Sequence, residues 1–244
     1  MNHQPELRGT NIAIGQDVEF GINVVIYPNV KIENGCTIED HCIIGHPAMV
    51  DSGWTKIDSY CTIRSHTVIY SGVSIGSSSS TGHHVCIREK SIIGKGCSIG
   101  SYSDLQGNLK MGDYCRLHSD VHLCQGSTLK DFVFIYPRVT LTNDPYPPSL
   151  VTEGPTIGSY TQICTGTTVL PGITIGENCL IGAGSLVTND IPNHVLAFGH
   201  PARLQGEISE LLGENKPNYP WMYRFDRNMP WEGQNFDVWL KDQK

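Results

Sequence analysis

The side chains best suited to move a proton or to bind a polar substrate fall in two short segments of this sequence. One segment holds His118 and, shortly after it, Asp120. His118 is the candidate acid–base group because an imidazole gains and loses a proton near neutral pH. The other segment, residues 142–156, holds Asp144 and Glu153, whose carboxylates could attract an ammonium group or bond hydroxyls. The alternative interpretation of His118 is an ordinary turn histidine, and that of Asp144 and Glu153 is the ordinary polarity of a loop.

A repeat of six residues must position these side chains. From Ile14 to Pro192 an aliphatic residue recurs at every sixth position, apart from places where extra residues are inserted. Only Phe20 and Thr81 break the rule, although Ile, Leu, Val and Met make up only 61 of the 244 residues. A small or β-branched residue usually stands four positions after the aliphatic one, and glycine often follows it directly. This spacing does not hold one face of an α-helix, so it predicts short strands separated by turns.

Three such units make a coil of about 18 residues, which predicts an all-β solenoid with three flat walls and about nine coils. The pattern resembles the hexapeptide-repeat acyltransferases, whose fold is a left-handed parallel β-helix. We expect a lead-in at residues 1–13, the β-helix at residues 14–192 and one protruding loop at residues 142–156, where several prolines cannot continue a strand. Residues 193–244 are expected to form a short helix, at Glu207–Leu212, and an aromatic tail. This tail should pack on the three-sided solenoid, or prism, or on a neighbouring chain.

Composition argues against several classes of function. The net charge is −7, with 17 basic and 24 acidic residues, which disfavours nucleic acid or an anionic membrane as the main partner. No apolar run approaches the ~20 residues of a membrane span, and the first residues lack the form of a signal peptide. Most of the nine cysteines fall on inward small positions and no C-x-x-C occurs. We therefore expect buried free thiols in a reducing cytoplasm rather than a structural zinc site.

The family resemblance implies a homotrimer with acyl-CoA in the groove between two chains, near the last coils. Small turn residues there, Gly166-Thr167 and Ala183-Gly184, could present backbone groups to the amide-rich pantetheine arm. Arg203, in a segment that resembles the family's Gly-x-Pro-Ala-Arg/Lys ending, could pair with a CoA phosphate. Its alternative is a solvated surface charge. Acetyl-CoA is therefore the expected co-substrate.

A closer resemblance is to the family's sugar-amine N-acetyltransferases, which acylate amino groups on nucleotide-linked sugars. It lies in the runs Phe134-Ile135-Tyr136-Pro137 and Val139-Thr140-Leu141-Thr142-Asn143-Asp144. The resemblance implies that Asn143 holds the acceptor sugar near the thioester, with Asp144, Glu153 and Asp120 as further substrate-binding candidates. An O-acetyltransferase acting on a sugar or serine hydroxyl is the runner-up, since the loop lacks the histidine such enzymes often carry there. A non-catalytic β-helical scaffold is the third interpretation.

In direct transfer an amine attacks the thioester and His118 takes its proton. His118 follows an inward leucine in a slot that glycine often fills elsewhere, so we expect a left-handed, slightly strained backbone there. His118 and Asn143 should lie one coil apart on successive corners, roughly 15–20 Å from each other. They can share a site only if they come from two chains, so this mechanism requires an oligomer.

Histidine spacing raises a zinc alternative, because the γ-class carbonic anhydrases share this fold. His41 and His46 have the His-x4-His spacing of those enzymes but fall one slot off in the repeat. His66 and His84 should stack with Tyr102 along one polar edge, since they recur once per coil. No metal site is therefore expected.

Overall fold

The chain folds into many short strands that follow one another at close intervals. The computed structural model describes residues 3–49, 52–213, 216–217 and 220–243. Up to the long loop the strands are β1 (Glu6–Leu7), β2 (Ile12–Ile14), β3 (Glu19–Phe20), β4 (Val25–Ile26), β5 (Val30–Ile32), β6 (Thr37–Ile38), β7 (Ile43–His46), β8 (Thr55–Ile57), β9 (Thr62–Ile63), β10 (Val68–Tyr70), β11 (Ser74–Ile75), β12 (Ser80–Thr81), β13 (Cys86–Ile87), β14 (Ile92–Ile93), β15 (Ser98–Ile99), β16 (Asp104–Leu105), β17 (Lys110–Met111), β18 (Arg116–Leu117), β19 (His122–Leu123), β20 (Thr128–Leu129), β21 (Phe134–Ile135) and β22 (Thr140–Leu141). After it come β23 (Thr156–Ile157), β24 (Gln162–Ile163), β25 (Thr168–Val169), β26 (Thr174–Ile175), β27 (Leu180–Ile181), β28 (Leu186–Val187), β29 (Val195–Gly199), β30 (Ala202–Glu207), β31 (Leu212–Gly213) and β32 (Lys216–Pro217).

These strands build three walls, and successive strands of the chain join successive walls. Wall 1 has the order β1-β4-β7-β10-β13-β16-β19-β22-β25-β28, wall 2 the order β2-β5-β8-β11-β14-β17-β20-β23-β26, and wall 3 the order β3-β6-β9-β12-β15-β18-β21-β24-β27-β29-β30. Pairing within the walls is parallel, except that β29 and β30 pair antiparallel. The three-sided parallel solenoid predicted from the period of six is confirmed.

The solenoid has slightly more coils than the predicted nine. Wall 1 contains 10 strands, because β1, within the segment expected as a lead-in, already pairs with β4. The N–H of Glu6 donates to the carbonyl of Val24 at 2.8 Å, and that of Arg8 to Ile26 at 2.8 Å. Both residues of β1 are exposed, so the strand lacks the buried aliphatic side chain by which the sequence reveals the other coils.

The core is a continuous stack of the aliphatic residues that define the period. Ile26, Ile44, Ile63 and Ile87 are among those with no exposed surface. The cysteines expected on inward small positions are buried and free, as predicted, namely Cys36, Cys42, Cys61, Cys97, Cys115 and Cys179. Burial of such stacked apolar side chains is the main stabilising contribution to a solenoid.

The corner between walls 3 and 1 carries a column of residues in the left-handed region. His66 stacks on His84 with ring centroids 4.6 Å apart, and His84 on Tyr102 at 5.1 Å, so the predicted column is confirmed. The column continues to Asp120, with φ 59°. The expectation that His118 is left-handed is wrong, because the turn lies two residues further on and His118 still belongs to the extended end of wall 3.

The carboxyl-terminal segment packs on the outside of wall 3. The helix expected at Glu207–Leu212 is replaced by the end of β30 and by a single 3-10 turn, Ile208–Glu210. A second 3-10 turn spans Trp221–Tyr223, and the α-helix α1 spans Phe236–Asp242. Aromatic residues of this segment, of wall 3 and of the corner before it form one buried cluster, which includes Phe132, Phe134, Trp221, Trp231 and Phe236. The tail therefore covers the prism, one of the two arrangements expected. Within the described residues, no helix is both long and apolar enough to cross a membrane.

Candidate functional site

His118 lies at the end of wall 3, directly after β18. Its backbone N–H donates to the carbonyl of Ile135 at 2.8 Å. Its ring stacks on Tyr136 of the next coil, with centroids 4.9 Å apart and planes 12° apart. Burial lowers the pKa of His118, and the positive charge of Arg116 lowers it further. The imidazole is therefore held neutral at neutral pH, the state in which it can accept a proton.

A cavity of about 570 Å³ lies between this part of wall 3 and the carboxyl-terminal segment. It is lined by Arg116, His118, Phe134, Tyr136, Gln162, Trp221, Arg224, Phe225, Arg227 and Asn228. Three of these lining residues are arginines and none is acidic, so the lining is positive. The sequence alone does not indicate this cavity, because its two sides come from distant segments and only one of them follows the repeat.

Two polar atoms in the cavity wall are buried without a hydrogen-bond partner. They are Nε of Arg116 and Oε1 of Gln162. The rest of the Arg116 guanidinium is engaged: one terminal nitrogen donates to the carbonyl of Arg227 at 2.9 Å, and its carbon lies 5.9 Å from the Phe134 ring centroid and 5.6 Å from that of Phe225. Unpaired buried polar atoms are costly in a folded protein, so this wall offers a donor and an acceptor to a ligand.

Asn143 lies where the protruding loop leaves wall 1, after β22. Its Nδ2 donates to the carbonyl of Gln125, one coil earlier, at 3.4 Å. Its own carbonyl accepts from the N–H of Glu153 at 2.8 Å, which closes the loop at its base. The carbonyl of Glu153 in turn accepts from Gly172 at 2.7 Å. The side chain of Glu153 is exposed and remains a substrate-binding candidate.

Asp144 is used within the loop. Its carboxylate accepts from the N–H of Tyr146 at 2.9 Å, from the N–H of Ser149 at 2.8 Å and from the Ser149 hydroxyl at 2.6 Å. These bonds, led by the Ser149 hydroxyl, lower the pKa of Asp144. Asp144 therefore shapes the loop, and a substrate would have to compete with these three donors.

The cofactor candidates Gly166 and Gly184 lie one coil apart on the corner between walls 3 and 1. Both are left-handed, with φ 71° and 67°, and both face open space. Their N–H groups are used by the coil ladder, since Gly184 donates to Thr165 at 2.9 Å and Gly166 to Pro137 at 3.0 Å. The same corner carries Asp120, which is exposed. The corner thus carries aromatic rings in earlier coils and no side chain at Gly166 and Gly184. We call the bare surface at these two glycines the ledge.

The remaining cofactor candidates differ in how they are placed. Ala183 is exposed beside the ledge. The Thr167 side chain is buried and donates to the carbonyl of Gly182 at 3.2 Å, so it supports the corner from inside. Arg203 is exposed in β30, and its Nη1 donates to the carbonyl of Ala202 at 2.9 Å.

A histidine–carboxylate pair on wall 1 was not among the candidates predicted from the sequence. His122 in β19 and Asp104 in β16 are partners in register, and Nδ1 of His122 lies 3.4 Å from Oδ2 of Asp104. Gln106 donates to the same carboxylate. The hydrogen bond with His122 is the largest cause of the lowered pKa of Asp104. The signal was present in the sequence, because the two residues lie one coil apart on outward slots.

The structure does not bring all the candidates together. His118 follows a strand of wall 3, whereas Asn143 follows a strand of wall 1. The pair formed by His122 and Asp104 lies closer to the loop, because His122 pairs in register with Thr140, just before it. Among the described residues, no cluster of His, Cys, Asp and Glu side chains could hold a metal ion.

The fold is that of a hexapeptide-repeat protein. The chain carries the repeat of the bacterial hexapeptide transferases, since the family model for that repeat matches residues 11–50 and 154–189. It is 30% identical over 202 residues to the bifunctional protein GlmU of Fervidobacterium nodosum, covering 78% of this chain and 40% of that protein. It is 43% identical over 91 residues to the galactoside O-acetyltransferase of Escherichia coli K12, covering 34% of this chain and 45% of that protein.

The chain thus spans less than half the length of these two relatives. Among solved structures, the Arabidopsis UDP-N-acetylglucosamine acyltransferase superposes with a TM-score of 0.64 at 17% identity, covering 85% of this chain and 74% of that one. At this identity the likeness shows a shared fold.

Proposed function

We propose that this protein is an acyl-CoA-dependent acyltransferase that moves an acetyl group from acetyl-CoA to the amino group of a nucleotide-linked amino sugar. The observation that carries the proposal is the bare ledge at Gly166 and Gly184. The earlier residues at the same position of this corner carry side chains. Gly166 and Gly184 carry none, so the space beside the last coils is open. A pantetheine arm can lie along such a ledge, and Arg203 can reach a CoA phosphate beyond it.

In this reaction the amine nitrogen attacks the thioester carbonyl carbon. The new C–N bond forms, the C–S bond breaks, and the CoA thiolate leaves. His118 takes the proton that the nitrogen loses, and backbone N–H groups stabilise the oxyanion. Asn143 holds the acceptor, with Asp120 and Glu153 as further contacts. Because His118 and Asn143 lie on different walls, the working site combines two chains, which we propose to assemble as a homotrimer.

Two measurements test the proposal. A thermal shift with millimolar acetyl-CoA should raise the Tm, because a ligand that binds only the folded state stabilises it. Amino sugars and their nucleotide-linked forms should then cause the release of the CoA thiol from acetyl-CoA. No thermal shift would favour a non-catalytic scaffold. The nine free cysteines suit a reducing compartment, and we propose the cytoplasm as the place of action.

A second candidate is an O-acetyltransferase, and the pair formed by His122 and Asp104 favours it. A hydroxyl group is a poor nucleophile until a base takes its proton, and a carboxylate that orients an imidazole provides such a base. Substitution of each histidine separates the two functions. His118→Asn should lower the kcat for amino acceptors by about 10²–10⁴-fold, whereas His122→Asn should do so for hydroxyl acceptors.

A further inference from the structure

The cavity beside His118 has rigid aromatic walls. The Trp221 ring stacks on Phe134 with centroids 4.5 Å apart. Its Nε1 donates to the carbonyl of Tyr160 at 2.8 Å, and only 2% of its surface is exposed. Phe225 meets Phe134 edge to face at 5.6 Å. A space of about 570 Å³ between such fixed rings is large enough for a sugar or a nucleotide.

Three arginines line this cavity, and the guanidinium of Arg116 is incompletely paired. Arg116 and Arg227 repel each other, and Glu232 offsets that repulsion only in part. The Glu232 carboxylate accepts from the N–H of Asn228 at 2.9 Å, so it is engaged within the carboxyl-terminal segment. Nε of Arg116 has no acceptor. A guanidinium in this state is best satisfied by an anionic oxygen group.

Gln162 is the second sign of a ligand. Its side chain is 4% exposed, and Oε1 has no donor. Its Nε2 lies 3.5 Å from the Tyr136 hydroxyl, a weak contact. An isoleucine or leucine would pack in this slot without leaving a buried carbonyl unpaired. The amide is therefore placed to accept a hydrogen bond from a bound molecule.

We propose that this cavity is the acceptor pocket and that it takes an acceptor in which a phosphate or carboxylate group lies beside a ring. Nε of Arg116 and the guanidinium of Arg227 bind the anionic oxygens. Gln162 accepts from a hydroxyl or N–H of the ring, which packs against Trp221 and Phe225. The inference rests on the acyltransferase function proposed above, because it assigns the substrate class of that reaction.

Calorimetric binding to the full chain tests the pocket apart from turnover. The probes are uridine monophosphate against uridine, and galacturonate against galactose. We expect at least one anion to bind about tenfold or more tightly than its uncharged counterpart, with an affinity that falls as salt rises. The better anion decides between phosphate and carboxylate. Binding of both anions no tighter than that of their uncharged counterparts overturns the proposal.

Three variants sharpen the test. Gln162→Glu places a carboxylate among the arginines, so it should abolish anion binding while the Tm stays the same or rises. Arg227→Gln should weaken binding about tenfold. Arg64→Gln is the control, because Arg64 follows a strand of the same wall but pairs with Glu39 at 3.1 Å, outside the cavity. Wild-type affinity for the anion in Gln162→Glu also overturns the proposal.

Thiol release from acetyl-CoA, measured on the same proteins, keeps the two proposals apart. Anion binding without thiol release in the presence of any acceptor supports the anion site and overturns acyl transfer. Thiol release at the wild-type rate in Gln162→Glu, with a phosphorylated or carboxylated acceptor, supports acyl transfer and overturns the pocket.

Discussion

Nδ1 of His122 lies 3.4 Å from Oδ2 of Asp104, on the wall that leads into the protruding loop. The contact fixes which ring nitrogen faces the carboxylate and leaves Nε2 to face outward. His118 lies around the corner on wall 3, where Tyr136 holds its ring by stacking. The two histidines, close together in sequence, are thus oriented by different contacts and lie on different walls.

Replacing Asp104 with Asn should cost little stability, and the cost should depend on pH. The side chains of Asp104 and His122 are 38% and 42% exposed. We therefore expect the free energy of unfolding to fall by less than about 1 kcal/mol at pH 7. The folded pKa of Asp104 lies below its ordinary 3.8. A carboxyl group with a lowered pKa stabilises the fold above its unfolded pKa, and this contribution is lost as the pH falls through the folded pKa. Urea unfolding at pH 7, 5 and 3 measures the difference.

A double-mutant cycle with His122→Gln provides the control for this experiment. The coupling between the two substitutions should become smaller at the lowest pH, where Asp104 begins to gain its proton. A difference between wild type and Asp104→Asn that stays constant from pH 7 to 3 would mean that the pair contributes no charge interaction.

Gly184→Asn tests the ledge. Asn23 occupies an equivalent corner with φ 55°, so asparagine can adopt the left-handed backbone and the Tm should change by only a few degrees. The new side chain enters the open space beside Gly184. We therefore expect the KM for acetyl-CoA to rise about tenfold or more, with the KM for the acceptor unchanged. Gly53→Asn is the matched control, since Gly53 is also left-handed, with φ 78°, and also faces open space. An unchanged KM for acetyl-CoA in Gly184→Asn would remove the ledge from the cofactor site.

The period of six was sufficient to predict which side chains point inward and which stack at a corner. Ile44 and Cys61 are buried, and His66 and His84 are stacked, because each residue repeats its environment after one coil. One local error concerns the backbone at the corner. The left-handed slot belongs to Asp120 rather than His118, since the strand continues past its inward residue before the chain turns.

The cavity could not be predicted, because it depends on a segment outside the repeat. Trp221 meets Phe134 across a long stretch of sequence, and no spacing rule relates a tail residue to a coil. An excess of aromatic residues after residue 217 predicts that the tail must be buried somewhere. Where it docks depends on the aromatic residues at the corner that leads into wall 3, such as Phe132 and Tyr160, whose rings stack at 4.9 Å.

The histidine column should make stability depend on pH. His66 stacks between His41 and His84 at 4.8 and 4.6 Å. Loss of solvation lowers the pKa of His66, and repulsion from His84 and His41 lowers it further. The unfolded chain then binds more protons than the folded one, so stability falls as the pH drops below about 6.5. His66→Asn should reduce this slope, measured as Tm between pH 7.5 and 5.5. His3→Asn, outside the column, should keep the wild-type slope, and an equal slope in His66→Asn would contradict the assignment.

Trp221→Ala should detach the carboxyl-terminal segment and leave the solenoid folded. Removing a buried tryptophan costs about 3–5 kcal/mol, and here the loss falls on the contact with Phe134 and the bond to Tyr160. Trypsin should then cleave after Arg224 and Arg227, while far-UV dichroism keeps its β signal. Trp221→Phe retains a ring that can stack on Phe134 and loses the bond to Tyr160, about 0.5–1.5 kcal/mol, together with some buried volume, so it should resist cleavage better than Trp221→Ala. Trypsin resistance of Trp221→Ala equal to that of wild type would show that the other aromatic residues of the cluster hold the segment without Trp221.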